Sequence, residues 1–154
     1  MKRECLMKFN QGYFVPKNPQ KYVGDVKNIV YRSGLEKRFF KFLDEKTAIL
    51  SWGSEEFFIP YFSPVDRKMH RYFPDIIFKM KDKNGEEKTF VAEIKPDSQT
   101  RPPKTGSKKK KSTLIRESLT WAVNDAKWKA AIKWCEEKNF EFIILTEKDL
   151  KEKH

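Results

Sequence analysis

Two alternating apolar runs, RYFPDIIFKMK and EKTFVAEIKP, joined across residues 82–86, constrain this chain more than any other feature. Both are rich in β-branched and aromatic residues, and Asn84-Gly85 between them is a strong short-range turn signal, so the stretch predicts a β-hairpin. Inside it sit Asp75, Glu93 and Lys95, at positions where apolar side chains would pack best. A solvent-facing hairpin accounts for them simply. A metal site accounts for them more fully.

Register separates the two readings. A two-residue turn at Asn84-Gly85 pairs Lys83 with Glu86 and puts Asp75 opposite Ile94, pointing away from Glu93. A three-residue loop, Lys83-Asn84-Gly85 with Gly85 left-handed in a G1 bulge, pairs Asp82 with Glu86 and sets Asp75 opposite Glu93. Period-two alternation puts Glu93 and Lys95 on one face, so the second register gathers all three residues. Carboxylates that close repel unless a cation lies between them. Oxygen ligands of this kind suit magnesium or manganese, with substrate phosphate filling other positions. Lys95 can position or activate a water, or stabilise charge on a transferring phosphoryl group.

Upstream, Ser33 and Glu36 have capping-box spacing at the start of LEKRFFKFLDE. Leu35, Phe39, Phe42 and Leu43 form one helical stripe, flanked by Glu36 and Phe40. Glu36 supplies a third carboxylate if this helix packs beside the hairpin's open end. Gly53 and its polar neighbours break the helical pattern, and EEFFIPYF predicts the first strand, with Pro60 favouring an edge. After the hairpin comes a polar loop over residues 97–112, then a helix over 113–138, then a strand in FEFIILT. Apolar residues wrap broadly around that helix, which predicts that it is largely covered or kinked. Trp121, Trp128 and Trp134 are read as packing residues. The order is helix, three strands, helix, strand: an α/β fold whose mixed sheet has helices on both faces. Residues 1–28 read as an irregular arm that can pack through Phe9, Tyr13, Phe14 and Tyr22 or dock a partner. Residues 29–150 read as the folded domain, and 151–154 as a polar tail.

Charge narrows the partners. The 154 residues carry 33 Lys+Arg against 22 Asp+Glu, a formal +11 that favours polyanions. Aromatic residues make up 14%, unlike a disordered chain. No run approaches a membrane span and the start lacks a signal-peptide pattern, so no membrane partner is expected. Cys5 and Cys135 read as free thiols in a reducing compartment. His70 reads as an exposed loop histidine. From Arg101 to Lys111 the loop has six basic residues and no acid: Arg101, Lys104, Lys108, Lys109, Lys110 and Lys111. These suit a phosphate backbone, giving affinity with little sequence preference. Arg116, Asn124 and Lys127 extend that surface along the following helix.

Glu36, Pro74-Asp75 and Glu93-Ile94-Lys95 resemble the signature of the PD-(D/E)XK nuclease superfamily. More closely, YRSGLEKRFFKFLD, RYFPDIIF and VAEIKPDSQTRPP resemble the head completion nucleases of T-even-type tailed phages and the N-terminal catalytic domain of TnsA endonucleases. The similarity spans roughly residues 30–146. It implies a restriction-endonuclease-like αβββαβ core and a magnesium-dependent endodeoxyribonuclease, with manganese able to substitute. It assigns Asp75 and Glu93 as metal ligands, Lys95 as the catalytic lysine and Glu36 as the helix carboxylate near the metal. Gln99 matches a polar position after the signature, beside the DNA. The phage branch implies double-stranded DNA as substrate, DNA-end processing after packaging, portal or neck proteins as partners, and the host-cell cytoplasm during assembly, or the virion, as location. Two alternatives stay open: a non-catalytic DNA-binding virion assembly protein, and a TnsA-like subunit active only with a partner.

Overall fold

The computed structural model describes residues 11–104 and 108–150. Two short strands come first, β1 (Gly12–Tyr13) and β2 (Val30–Tyr31), paired antiparallel, followed by helix α1 (Gly34–Glu45). Next come β3 (Ile49–Gly53), β4 (Ile59–Phe62), β5 (Met69–Tyr72), β6 (Ile76–Lys81) and β7 (Glu87–Ile94). Helix α2 (Lys111–Glu137) and β8 (Glu141–Leu145) complete the fold. The central sheet has the order β3-β6-β7-β8. Its first two pairings are antiparallel and the β7–β8 pairing is parallel, so α2 is the crossover that a parallel neighbour requires. This is the predicted helix, three strands, helix and strand around a mixed sheet.

The first of those strands is not the one expected. ILSWG forms β3, whereas EEFFIPYF contributes β4 to a separate two-stranded sheet with β5. Gly53 masked the strand, because a glycine after a helix reads as a breaker. Here it serves a close approach: a Cβ at Gly53 would lie 2.9 Å from the Val23 carbonyl oxygen. RYFPDIIFKMK is likewise divided. Its start belongs to β5 and its end to β6, with Phe73, Pro74 and Asp75 between them. Pro74 has no N–H for a ladder, and its side chain is fully buried at this corner.

Alternation sorts the sheet's side chains into two cores. Ile49, Trp52, Ile76, Phe78, Ala92 and Ile94 meet Phe39, Phe40 and Leu43 of α1. On the other face Phe142 and Ile144 of β8 pack with Trp128 and Ala131 of α2 and with Ile59, Tyr61 and Tyr72 of the β4–β5 hairpin. Trp121, Trp128 and Trp134 all belong to this second cluster, as packing residues do. Coverage of α2 is narrower than its composition predicts. Ile115, Leu119 and Ile132 stay about half exposed, and only Trp128, Ala131 and Cys135 are buried. Burial pushes the Cys135 thiol up to about 11, so it behaves as a small apolar residue. No helix among the described residues is long and apolar enough to cross a membrane.

The segment before α1 is part of the first core. Phe14 and Tyr22 are buried, while Tyr13 is exposed and Phe9 lies outside the described residues. Phe14, Tyr22 and Phe40 surround Trp52, with ring centroids 5.9, 4.8 and 5.2 Å from it. The clamp that holds this segment is Asp44, a carboxylate 1% exposed near the end of α1. It accepts the backbone N–H groups of Lys17 and Asn18 at 2.8 and 3.0 Å. The Asn18 amide and the Lys21 ammonium donate back to the Asp44 carbonyl, both at 2.9 Å. Asp44→Ala removes a charged acceptor from two backbone donors, so we expect a loss of about 2–3 kcal/mol in urea unfolding. An unchanged midpoint would contradict the clamp.

Candidate active site

Register is what brings the site together. Asp82 N–H donates to the Glu86 carbonyl at 2.8 Å, and Gly85, at φ +79°, donates its N–H to the Asp82 carbonyl at 3.0 Å. This is the three-residue loop with left-handed Gly85. It pairs Lys81 with Glu87 and Ile76 with Ala92, so one step further Asp75 lies opposite Glu93. The Asp75 side chain is fixed there by its Oδ2, which accepts the Ile94 N–H at 2.7 Å.

Glu93 is 8% exposed and held at both oxygens. Its Oε1 accepts the Tyr72 hydroxyl at 2.5 Å, the short range of a hydroxyl donating to a carboxylate. Its Oε2 lies 3.2 Å from Lys95 Nζ. Lys95 follows β7 directly, and its N–H donates to the Leu145 carbonyl at 3.0 Å, extending the parallel ladder by one residue. Alternation therefore puts its ammonium on the Glu93 face.

Helix α1 brings Glu36 from the opposite side. Ser33 Oγ accepts the Glu36 N–H at 3.1 Å, which is one half of the expected capping box. The Glu36 carboxylate does not return to Ser33. It accepts the Arg32 N–H at 2.9 Å. Burial raises the Glu36 carboxyl above the usual range, against the lowering effect of that hydrogen bond, and the charges of Glu55 and Glu93 raise it further. Asp75 is held well above the ordinary carboxylate range, chiefly by burial and then by the charge of Glu93. The Ile94 N–H and Lys95 offset this only in part.

Three participants escaped sequence reasoning. Tyr72 was visible only as part of the run RYFPDIIFKMK, and its inward direction depends on pairing with Ile59. Arg32 and Glu55 form an ion pair at 2.5 Å beside Glu36, and the Arg32 charge also reaches Asp75. Glu55 was read as a strand residue. It adopts a left-handed φ of 51°, and its N–H donates to the Asp75 carbonyl at 3.3 Å.

The expected DNA-facing residues divide by position. Gln99, Arg101, Lys104, Lys109, Arg116 and Asn124 line a cleft of about 810 Å³ between residues 98–104 and α2. Arg101 also pairs with Asp97 at 3.1 Å, and Lys109 with Glu117 at 2.8 Å. Such exposed pairs are weak and exchange readily for a phosphate. Lys127 lies over the rings of Tyr61 and Tyr72, at 5.9 and 5.6 Å, and so adjoins the Glu93 side of the site. Lys108, Lys110 and Lys111 are exposed and do not line the cleft. His70 lies on β5, not in a loop; it is exposed, bonded to Asp66 at 2.7 Å and stacked on Tyr61.

The donor set suits a hard divalent cation. Asp75 and Glu93 offer only oxygens, in a poorly solvated place where their charges already disfavour one another. Among the described residues no three His, Cys, Asp or Glu side chains converge closely enough to hold a metal ion, so Glu36 acts on the pair through its charge. Two protein carboxylates leave positions for water and phosphate, the arrangement magnesium prefers.

Comparison with known proteins follows the same residues. A family model described as TnsA-like endonuclease N terminal matches residues 46–147, a span that includes Asp75, Glu93 and Lys95 but not α1. Over 146 residues, 91% of this chain and 93% of the relative, the sequence is 47% identical to the head completion nuclease of Enterobacteria phage T4. The chain belongs to the TnsA-like endonuclease N-terminal family.

Proposed function

We propose that this protein is a divalent-metal-dependent DNA endonuclease acting in phage head completion, where it processes DNA ends after packaging. The observation that carries the reading is the Asp75–Glu93 pairing with Lys95 beside it. The family match and the name of the T4 relative support the same reading. Its setting would be the host-cell cytoplasm during assembly or the virion, with portal or neck proteins as partners.

Asp75 and Glu93 would hold magnesium, or manganese in its place, with Glu36 alongside. When bound, such an ion neutralises phosphate charge and orients the attacking water. This chain's own residues supply the rest. The Ile94 N–H and the Tyr72 hydroxyl fix the two carboxylates, so neither must reorganise when substrate arrives. The Lys95 ammonium, tethered to Glu93, can swing its charge onto a phosphate oxygen as the water oxygen bonds to phosphorus, one P–O ester bond breaks and a proton from the water ends on the leaving oxygen. Arg101, Lys104, Lys109 and Arg116 would hold the neighbouring backbone.

Purified protein is expected to cut duplex DNA with magnesium or manganese and not in chelator. Asp75→Ala and Glu93→Ala should reduce cutting to background while DNA binding persists. Tyr72→Phe, which removes only the hydroxyl, should cost roughly 10–100-fold in metal affinity or rate. Undiminished cutting by Glu93→Ala would exclude the assignment, and metal-independent binding with no cutting would favour a DNA-binding assembly protein.

The raised Asp75 carboxyl gives a second test. A folded-state value above the unfolded one, about 3.9, means that Asp75 contributes stability at acid pH that is lost as pH rises through the folded value. Asp75→Asn keeps the shape without the charge. In chelator its advantage over the natural protein should therefore grow from near zero in acid as pH rises. Magnesium should stabilise the natural protein and not the variant. Equal responses of both proteins to magnesium would contradict a site at Asp75.

A further inference from the structure

We propose that the cleft between residues 98–104 and α2 takes an unpaired DNA strand beside the bond to be cut, with a base stacked on Trp121; this rests on the nuclease reading above. Backbone attraction alone requires only cations, since the outside of a duplex offers phosphates and keeps its base faces hidden. This cleft has more. Trp121, Pro102 and Pro103 form apolar walls among its cations, and the amides of Gln99 and Asn124 open onto the same space. Apolar walls have no partner on a duplex exterior, whereas an unpaired base presents a flat face to an aromatic ring. Side-chain amides both donate and accept, matching exposed base edges.

Trp121 belongs to the second core cluster and also lines this cleft, so part of its ring is open to a ligand. It meets Trp128 nearly perpendicularly, at 84° and 5.6 Å between centroids, and remains half-buried. The facing wall is anchored rather than loose. Asp97 donates its N–H to Glu147 at 3.0 Å, and its carboxylate pairs with Arg101 and Lys148 at 3.1 and 3.2 Å. That wall begins at Ser98, three residues after Lys95, so the chain leads from the proposed site straight into the cleft. At about 810 Å³ the space falls within the roughly 300–1,000 Å³ of ligand pockets, room for an unpaired base and its sugar. The enzyme would therefore act best where a duplex end or junction carries a single-stranded portion.

Fluorescence anisotropy of the natural protein in chelator tests this without cleavage, using a labelled blunt duplex and the same duplex with a single-stranded extension. The extension should tighten binding about tenfold or more, the scale of one or two stacked bases. Trp121→Ala should abolish the preference while leaving blunt-duplex affinity unchanged, and Trp121→Phe should restore most of it. The double variant Pro102→Ala, Pro103→Ala leaves α2 untouched and should weaken the preference as well. Equal binding of both DNAs by the natural protein would overturn the proposal, as would parallel loss of both affinities in Trp121→Ala or failure of Phe to rescue. None of those results would disturb metal-dependent duplex cutting, so the two readings fail separately.

Discussion

Everything at the site depends on the antiparallel register of β6 and β7, which a loop of a few residues sets. Asp82 secures it: its side chain accepts the N–H groups of Asn84 and Glu86 at 2.8 and 2.9 Å while its carbonyl accepts from Gly85. Gly85 can adopt the positive φ that closes this loop because it has no Cβ. A slip of one residue would put Asp75 opposite Ile94 and disperse the charges. The same slip would turn Ile76 and Phe78 out of the first core, so burial and chemistry select the same register.

That register gathers negative charge where little water can relieve it. Asp75, Glu93 and Glu36 act on one another, with Lys95 on one side and Arg32 on the other. Such a cluster costs stability in a protein free of metal, and the fold offsets it elsewhere. Trp52 inside its ring of aromatics and the Asp44 clamp bind the N-terminal segment to α1, which positions Glu36. Stability and strain thus sit on opposite ends of one helix: Asp44 near its end and Glu36 in its first turn.

The sequence carried most of the architecture because hairpin patterning, capping and helical stripes are local signals. The hairpin, α1, α2 and β8 could be read from spacing, whereas the gathering of Asp75, Glu93 and Lys95 followed from only one of two registers that spacing allowed, the one the Gly85 loop selects. The strand ILSWG could not, because Gly53 looks like a breaker until the Val23 carbonyl that requires it is in place. The β4–β5 sheet was hidden for a related reason: one continuous apolar run turns a corner at Pro74 and serves two sheets. Tyr72 and the Arg32–Glu55 pair join the site through tertiary contacts between residues far apart in the chain, which no periodicity encodes. Lys127 lay within the expected basic surface, yet its position over two tyrosine rings reflects how α2 meets the β4–β5 hairpin.

The central claim is that Asp75 and Glu93 together form one divalent-cation site. Anomalous diffraction from crystals soaked in manganese tests it most directly. The account predicts a peak between the two carboxylates, with Tyr72 still bonded to Glu93 and Lys95 released towards the cleft. No peak there, with the Lys95–Glu93 pair intact, or a peak elsewhere in the protein, would contradict it.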